Sequence, residues 1–390
     1  MKQRILGKTG ESTSILGFGC MRLPVAGPDP SYINEDVAIA MIRKAIDRGV
    51  NYVDTAWPYH GAQGFANPGA SEPLVAKALA GGYREKVKVA TKLPTWLVNT
   101  RADMNRFLDL QLKRLQTSCI DFYLAHTLNA RFWESMQLAD LVGFFEEARK
   151  DGRIKHVGFS FHDRFSVFQE IVEGYDWDLA QIQYNYLDQG YQAGKEGVKL
   201  AARKGLGLVI MEPLRGGFLI NHVPDALRAH LARVQPAWSL ADWALRWLWN
   251  QPEISIVLSG MSNMEQVEEN LNIACCAQPF TSADEAAVDF VRNAFLSRIK
   301  VGCTGCGYCL PCPEGVNIPR NFTLYNDYFL TDDEKARGHI KYIYGNLVLA
   351  PDEMADRCRR CGQCEEKCPQ QLPVGEAMAD VAAVFCKKIA

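Results

Sequence analysis

Four residues of unlike type follow one another along the first third of this 390-residue chain, each just behind a short apolar run. Asp54 and Tyr59 follow Asn51-Tyr52-Val53, Lys92 follows residues 87–90, and His126 closes the run 120–125. An acid, a phenol, an ammonium and an imidazole brought together make a proton-donating set. A lysine ammonium beside a tyrosine lowers the phenol pKa from its ordinary value of about 10. The phenol can then deliver a proton near neutral pH while the imidazole orients a carbonyl oxygen. Taken singly, each has a plainer reading: Tyr59 as a surface residue of a polar loop, Lys92 as a solvated strand-end lysine, Asp54 as a turn cap. The ordered set, spread behind three successive strands, is what points to chemistry.

The second concentration of chemistry is sulfur. Of 13 cysteines, nine lie after residue 300. Cys303, Cys306, Cys309 and Cys312-Pro313 form one run; Cys358, Cys361, Cys364 and Cys368-Pro369 form another. The second has the C-x2-C-x2-C-x3-C-P spacing of bacterial ferredoxins, and the first is one residue short before its last cysteine. Thiolates at this spacing on a tight turn reach three corners of an iron-sulfur cube, and the proline-flanked fourth commonly serves the other cluster. The expectation is two 4Fe–4S clusters, one on Cys303, Cys306, Cys309 and Cys368, the other on Cys358, Cys361, Cys364 and Cys312. Zinc is the competitor, but zinc sites rarely need two such runs, each ending in Cys-Pro. Cys20, Cys119, Cys275, Cys276 and Cys386 have no ligand spacing and read as small hydrophobes.

The elements that must position these residues alternate. Asn34 caps a helix with Val37, Ala38, Met41, Ile42, Ala45 and Ile46 on one face, and Gly49 ends it. Helices are expected at 72–79, 101–115, 133–150, 164–173 and 193–204. Strands are expected at 87–91, 120–126, 155–160, 179–184, 207–211 and 254–258, with a helix around Leu240, Trp243, Ala244, Trp247 and Leu248 before the last. Counting the strand at 51–53, that is the rhythm and length of a (β/α)8 TIM barrel. Residues at the C-terminal ends of such strands converge on one face. An open doubly wound sheet is the alternative, and no Gly-rich dinucleotide fingerprint follows any early strand. The last 90 or so residues read as a small, mostly α-helical ferredoxin-like domain, with helices at 320–329 and 333–344. The expected division is 1–298 and 299–390.

Composition sets outer bounds. A net charge of −2 and a pI of about 6.4 give no electrostatic case for nucleic acid or an anionic membrane. The opening MKQRILGKTG lacks the apolar run of a signal peptide. No stretch approaches the roughly 20 apolar residues of a membrane span. A cytoplasmic protein is the expectation, and there a dense cysteine block means metal or redox chemistry, not disulfides.

Over residues 1–298 the chain resembles the aldo-keto reductases, whose catalytic tetrad is Asp, Tyr, Lys and His in this order. The matching stretches are Asp54-Thr55-Ala56 with Tyr59, Ala90-Thr91-Lys92, and Tyr123-Leu124-Ala125-His126. The resemblance implies an opening hairpin under the barrel, a first strand over 17–24, and a nicotinamide cofactor, NADP(H) or NAD(H). It implies cofactor contacts from Met21, from Ser160 and Gln183 at the amide, and from Pro213, Leu214, Arg215 and Gly217 at the diphosphate. It further implies contacts from Gly260, Ser262, Gln266, Glu269 and Asn270 around a helix N-terminus suited to a phosphate. Two departures stand out: Phe161 where many members carry Asn, and Gln266 where many carry an arginine near the 2′-phosphate. The loop 59–71 is also longer than usual.

The leading reading is an oxidoreductase that interconverts a carbonyl and an alcohol by hydride transfer from NADPH or NADH. Tyr59 would donate the proton, Lys92 tune it, Asp54 pair with Lys92, and His126 orient the oxygen of a small-molecule substrate. The alternative is an electron-transfer oxidoreductase that couples the barrel site to the clusters through a flavin or an electron-transfer partner. Nicotinamide gives two electrons as hydride, each cluster takes one, and no flavin motif is present to mediate. A non-catalytic barrel with structural clusters is a third reading, against which the complete tetrad argues.

Overall fold

The computed structural model describes the chain except for residues 28, 62–66, 222, 277, 304–308, 369–370 and 387–390, and except for the side chains of 347–348. Cys306 and part of the long loop after Tyr59 therefore lie outside the described residues. Two compact units are present, one of Met1–Gly216 with Ala241–Phe280, the other of Gly217–Leu240 with Thr281–Ala390.

The first unit opens with an antiparallel hairpin, β1 (Gln3–Ile5) and β2 (Ser12–Ser14). Leu6 at its turn joins the buried cluster at the centre of the barrel. Gly7, at φ 51, lies so close to the following floor that an added Cβ would stand 2.1 Å from the backbone nitrogen of Gly207. Then come eight strands: β3 (Leu16–Gly19), β4 (Tyr52–Asp54), β5 (Lys88–Leu93), β6 (Ile120–Leu128), β7 (Ile154–Phe161), β8 (Leu179–Gln183), β9 (Gly207–Met211) and β10 (Ile256–Gly260). They pair in parallel in chain order, and β10 closes on β3. Closure excludes the open-sheet alternative. The first barrel strand is Leu16–Gly19, shorter than the expected 17–24.

Helices α1 (Glu35–Asp47), α2 (Ser71–Leu79), α3 (Arg101–Arg114), α4 (Ala130–Leu138), α5 (Leu141–Lys150), α6 (Phe165–Gly174) and α7 (Gly194–Arg203) surround the first strands. The Asn34 side chain accepts from the Val37 N–H to start α1, and Ala38, Met41, Ile42, Ala45 and Ile46 are its buried face. Val37 is not part of that face; it is 38% exposed. Thr100 and Asp103 cap α3 reciprocally. The single helix expected over 133–150 is two. Asp140 takes a left-handed conformation (φ 62) and its carboxylate accepts from the Gly143 N–H, starting α5 afresh. The apolar period crosses this break because both helices bury the same side.

Strand periodicity decides what meets inside. Tyr52, Ala90, Phe122, Leu124, Leu179, Val209, Ile256 and Leu258 form the buried interior with Leu6. Two residues on, each strand points the same way at its C-terminal end. From Tyr52 that residue is Asp54, from Ala90 Lys92, from Leu124 His126, and from Leu179 Gln181. The apolar interior thus becomes a polar floor at one end, the face where such barrels build sites.

The second unit holds α8 (Phe218–Asn221) and α9 (Asp225–Val234). Between it and the barrel's return, α10 (Leu240–Trp249) and α11 (Met264–Cys275) flank β10. The unit resumes with α12 (Ser282–Leu296), α13 (Ile318–Leu330), α14 (Glu334–Ile343), α15 (Gln363–Glu366) and α16 (Val374–Phe385). α12 folds with α9: His230 stacks on Phe290 at 4.2 Å, and Gln235 donates to Asp284 at 2.9 Å. By compaction, Thr281–Ala390 fall in one unit with Gly217–Leu240. The unit's core gathers Val316, Ile318, Phe322, Leu324, Tyr344, Val374, Met378 and Val381. α13 and α14 match the expected helices; α16 has no counterpart among them.

Candidate active site and cysteine centre

The Lys92 ammonium is fully buried. It donates to both Asp54 carboxylate oxygens at 2.8 and 2.7 Å, to the Thr55 carbonyl at 2.8 Å, and to the Tyr59 hydroxyl at 3.3 Å. A buried charge is tolerable only when paired and hydrogen-bonded, and this one is both. Burial works against the ammonium, but Asp54 and Tyr59 outweigh it and hold its pKa above the usual lysine value. For Asp54, burial pushes the carboxyl up while Lys92 pulls it down.

Tyr59 differs from the sequence expectation. Lys92 does pull its pKa down, yet burial is the larger influence and Asp54 adds to it, so the phenol stands above 10. The group is held protonated, which suits a donor and removes the idea of a phenol partly ionised near neutrality. The edge of Tyr59 faces His126, ring centres 6.0 Å apart, and Trp96 lies 5.2 Å from the same imidazole. His126 is neutral: burial, then the Lys92 charge and His162, lower its pKa well below 6.5. Its Nδ1 is buried without a hydrogen-bond partner among the described residues. Just beyond it β6 is irregular, with Thr127 at φ 57. Such irregularities re-aim side chains beside active sites.

The cofactor residues are less uniform. The Ser160 hydroxyl, at the end of β7, accepts from the Thr127 N–H at 2.7 Å. In the β7–β8 register its partner is Gln181, not Gln183. Gln181 is 2% exposed and its Oε1 has no hydrogen-bond partner among the described residues. Gln183 instead donates to Asp188 at 3.1 Å, and Asp188 also holds Asn185 and Arg215. Gln181 was not singled out in the sequence. Two glutamines two apart on one strand face are alike in sequence, and only register separates them.

The loop after β9 turns through left-handed conformations at Glu212, Arg215, Gly216 and Gly217. Pro213 is buried, and Leu214 and Arg215 are half-buried. Around the start of α11, Asn263 accepts from the Gln266 N–H, and Gln266 Oε1 accepts from the Ser262 N–H. Ser262 Oγ donates to the Arg22 carbonyl. Asn270 is buried and ties α11 to Ser259 of β10, while Glu269, Gly260 and Met21 are exposed. Gln266 therefore spends its side chain on the start of α11.

In the second unit Cys303, Cys309, Cys312, Cys358 and Cys364 lie against the hydrophobic core. Among the described residues no three His, Cys, Asp or Glu side chains converge to ligating distance, and Cys306 is not described. The donor set nonetheless fits iron-sulfur chemistry: no disulfide links the described cysteines, and Cys364 has both Cys358 and Cys312 as electrostatic neighbours. Cys312 comes from the other run.

A closed parallel barrel with a buried ion pair and a phenol gathered at the C-terminal ends of its strands is the framework of a barrel enzyme. The profile of the aldo/keto reductase family matches residues 15–292, and the chain belongs to that family. A 4Fe-4S dicluster domain matches residues 302–372. Over 301 residues the chain is 28% identical to a Glycine max protein named "Probable aldo-keto reductase 1", covering 68% of this chain and 82% of the relative. It is 26% identical to an NADH-specific methylglyoxal reductase of Escherichia coli, covering 70% and 93%. Among solved structures, the holo form of a Bacillus halodurans aldo-keto reductase aligns with a TM-score of 0.60 at 26% identity, covering 75% of this chain and 96% of that one. The protein is thus an oxidoreductase of the aldo-keto reductase type, whose cofactors are a nicotinamide nucleotide and two 4Fe–4S clusters. No helix among the described residues is long and apolar enough to cross a membrane.

Proposed function

We propose that the barrel interconverts a small carbonyl compound and its alcohol, with Tyr59 as proton donor to the carbonyl oxygen. The observation that carries this is the buried Lys92 ammonium, held on both Asp54 oxygens and within hydrogen-bond reach of the Tyr59 hydroxyl. Neutral His126 orients the substrate oxygen, and its charge-free state keeps the adjacent ammonium from being repelled. The nicotinamide, when bound, supplies or accepts the hydride. Ser160 with Gln181 is the amide-holding pair we favour over Ser160 with Gln183, because of the register and the orphaned Gln181 oxygen. The Pro213–Gly217 loop with Met21, Gly260, Ser262, Glu269 and Asn270 completes the cofactor face, and Gln266 leaves NADH and NADPH both acceptable.

The eight cysteines carry the two clusters in the crossed arrangement set out above, in a domain that we take as 299–390. Iron-sulfur chemistry on these cysteines suits the cytoplasm, and the near-neutral charge suits neither nucleic acid nor membrane partners. The test of the reaction is Tyr59→Phe in anaerobically prepared enzyme: turnover is lost and nucleotide binding retained. Near-normal turnover removes Tyr59 from its role. The visible spectrum before and after NADPH separates this reading from electron transfer: bleaching of the iron-sulfur absorbance favours the latter, with a partner or flavin between.

A further inference from the structure

Glu72 is the second residue of α2 and is completely buried. Nothing in the tetrad uses it. Its Oε1 accepts from the Thr91 hydroxyl at 2.7 Å and from the Gln111 amide at 2.7 Å; its Oε2 accepts from the Arg114 guanidinium at 2.7 Å. Each of these donors leads to one half of the proton-donating pair. Thr91 precedes Lys92 on β5, and the Gln111 amide also donates to the Lys92 carbonyl at 3.0 Å. Tyr123 fixes the other end of Gln111, donating to its Oε1 at 2.7 Å.

Arg114 leads to the tyrosine. Its guanidinium donates to the Gly69 carbonyl and lies 5.4 Å over the Trp57 ring. Gly69 in turn donates to the Trp57 carbonyl at 2.7 Å, and Ser71 to the Tyr59 carbonyl at 3.2 Å. Gly69 lies so close to the tyrosine turn that an added Cβ would stand 1.8 Å from the Tyr59 carbonyl oxygen. The strand that carries Lys92 and the loop that carries Tyr59 are thus both tied to one carboxylate.

We propose that Glu72 is a positioning residue that sets the distance between the Lys92 ammonium and the Tyr59 hydroxyl. This rests on Tyr59 being the proton donor. A bland ion pair would need only Arg114; the Thr91 and Gln111 bonds on the other oxygen are what join it to the lysine strand. Misplacing a reacting group by about 1 Å can cost 100-fold in rate, so the carboxylate acts on catalysis without touching substrate.

The test compares Glu72→Gln, Thr91→Val and Tyr59→Phe in the full chain with both clusters loaded, using 4-nitrobenzaldehyde as the carbonyl probe with NADPH or NADH. Glu72→Gln is expected to lower kcat by roughly 10- to 100-fold, with KM and nucleotide affinity within about twofold. Because Lys92 draws the phenol pKa down, a longer Lys92–Tyr59 distance releases it, and the alkaline limb of the pH profile moves to higher pH. Folded Glu72→Gln enzyme with wild-type kcat and an unmoved alkaline limb overturns the proposal. If Glu72→Gln does not fold, Thr91→Val decides: it removes one hydroxyl, and an unchanged kcat and pH profile overturns the proposal equally. Turnover surviving in Tyr59→Phe instead refutes the reaction assignment, a result that stands apart from either variant of the network.

Discussion

Asp54 and Lys92 are 38 residues apart in the chain and meet inside the barrel at 2.7 Å, whereas Cys358, Cys361 and Cys364 are neighbours through spacing alone. The barrel site draws its members from β4 and the loop behind it, from β5 and from β6, and the fold supplies the ammonium's partners: carboxylate, carbonyl and phenol already satisfy it. The cysteine-rich unit brings thiols to the edge of a modest core, and iron must complete what the polypeptide leaves open. One centre is held by its own side chains; in the other, cluster binding is expected to add to the stability of the fold. The difference teaches where each is fragile. The barrel site fails when a side chain changes, the cysteine unit when its metal is withheld.

The sharpest break in that comparison is Tyr59→Phe, expected to lower turnover by about 10²- to 10⁴-fold, the range typical of general acid–base groups. Fluorescence titration should show nucleotide binding intact, since the phenyl ring keeps the same space. Cys364→Ser, or iron chelation, is expected to act on the other side only. Absorbance and iron content fall and α13–α16 become protease-sensitive, while far-ultraviolet dichroism of the barrel persists. Loss of the barrel signal together with the iron would erase the contrast.

Lys92→Met leaves the Asp54 carboxylate buried without its partner. Removing one member of a buried pair costs about 3–5 kcal/mol, readable as a lower midpoint in urea. A barrel of unchanged stability would mean that the pair is not ionised. The pH profile sharpens the same point. Burial holds the Tyr59 phenol above 10 and His126 well below 6.5. Reduction needs the protonated phenol and the neutral imidazole. It should therefore hold level through neutrality and fall only at alkaline pH, as the phenol loses its proton. A descending limb centred near neutral pH would restore the lowered phenol of the sequence reading.

The smallest effects test the cofactor face. Gln181→Ala should weaken nucleotide binding by roughly 10-fold, the loss of about one hydrogen bond to a buried group. Gln183→Ala should stay within about twofold, because Asp188 and not the cofactor takes its amide. The opposite ranking would return the amide site to Gln183.

Much of this was legible in the chain. Asp54, Lys92 and His126 each followed a visible strand, and a period of two was enough to turn them inward with Tyr52, Ala90 and Leu124. The cysteine runs declared their cofactor by spacing. What failed did so for identifiable reasons. Asp140 broke a helix whose apolar pattern ran on regardless, because burial period and backbone continuity are separate properties. The helix 282–296 folds with α9 across a 47-residue gap between their ends. No local signal carries that pairing.

Residue type and spacing by themselves determined the chemistry available: a proton-donating tetrad on one barrel face and eight thiols for iron-sulfur cubes. Only the tertiary structure decided how that chemistry is tuned. The phenol pKa rises although a lysine lies beside it, because desolvation depends on everything packed around the ring and not on the neighbour alone. The choice of Gln181 over Gln183 depends on strand register, which is a relation between strands. Glu72 becomes a hub because β5 and α3 both turn donors onto its one carboxylate. Chemistry is a property of residues; its strength and aim are properties of what surrounds them.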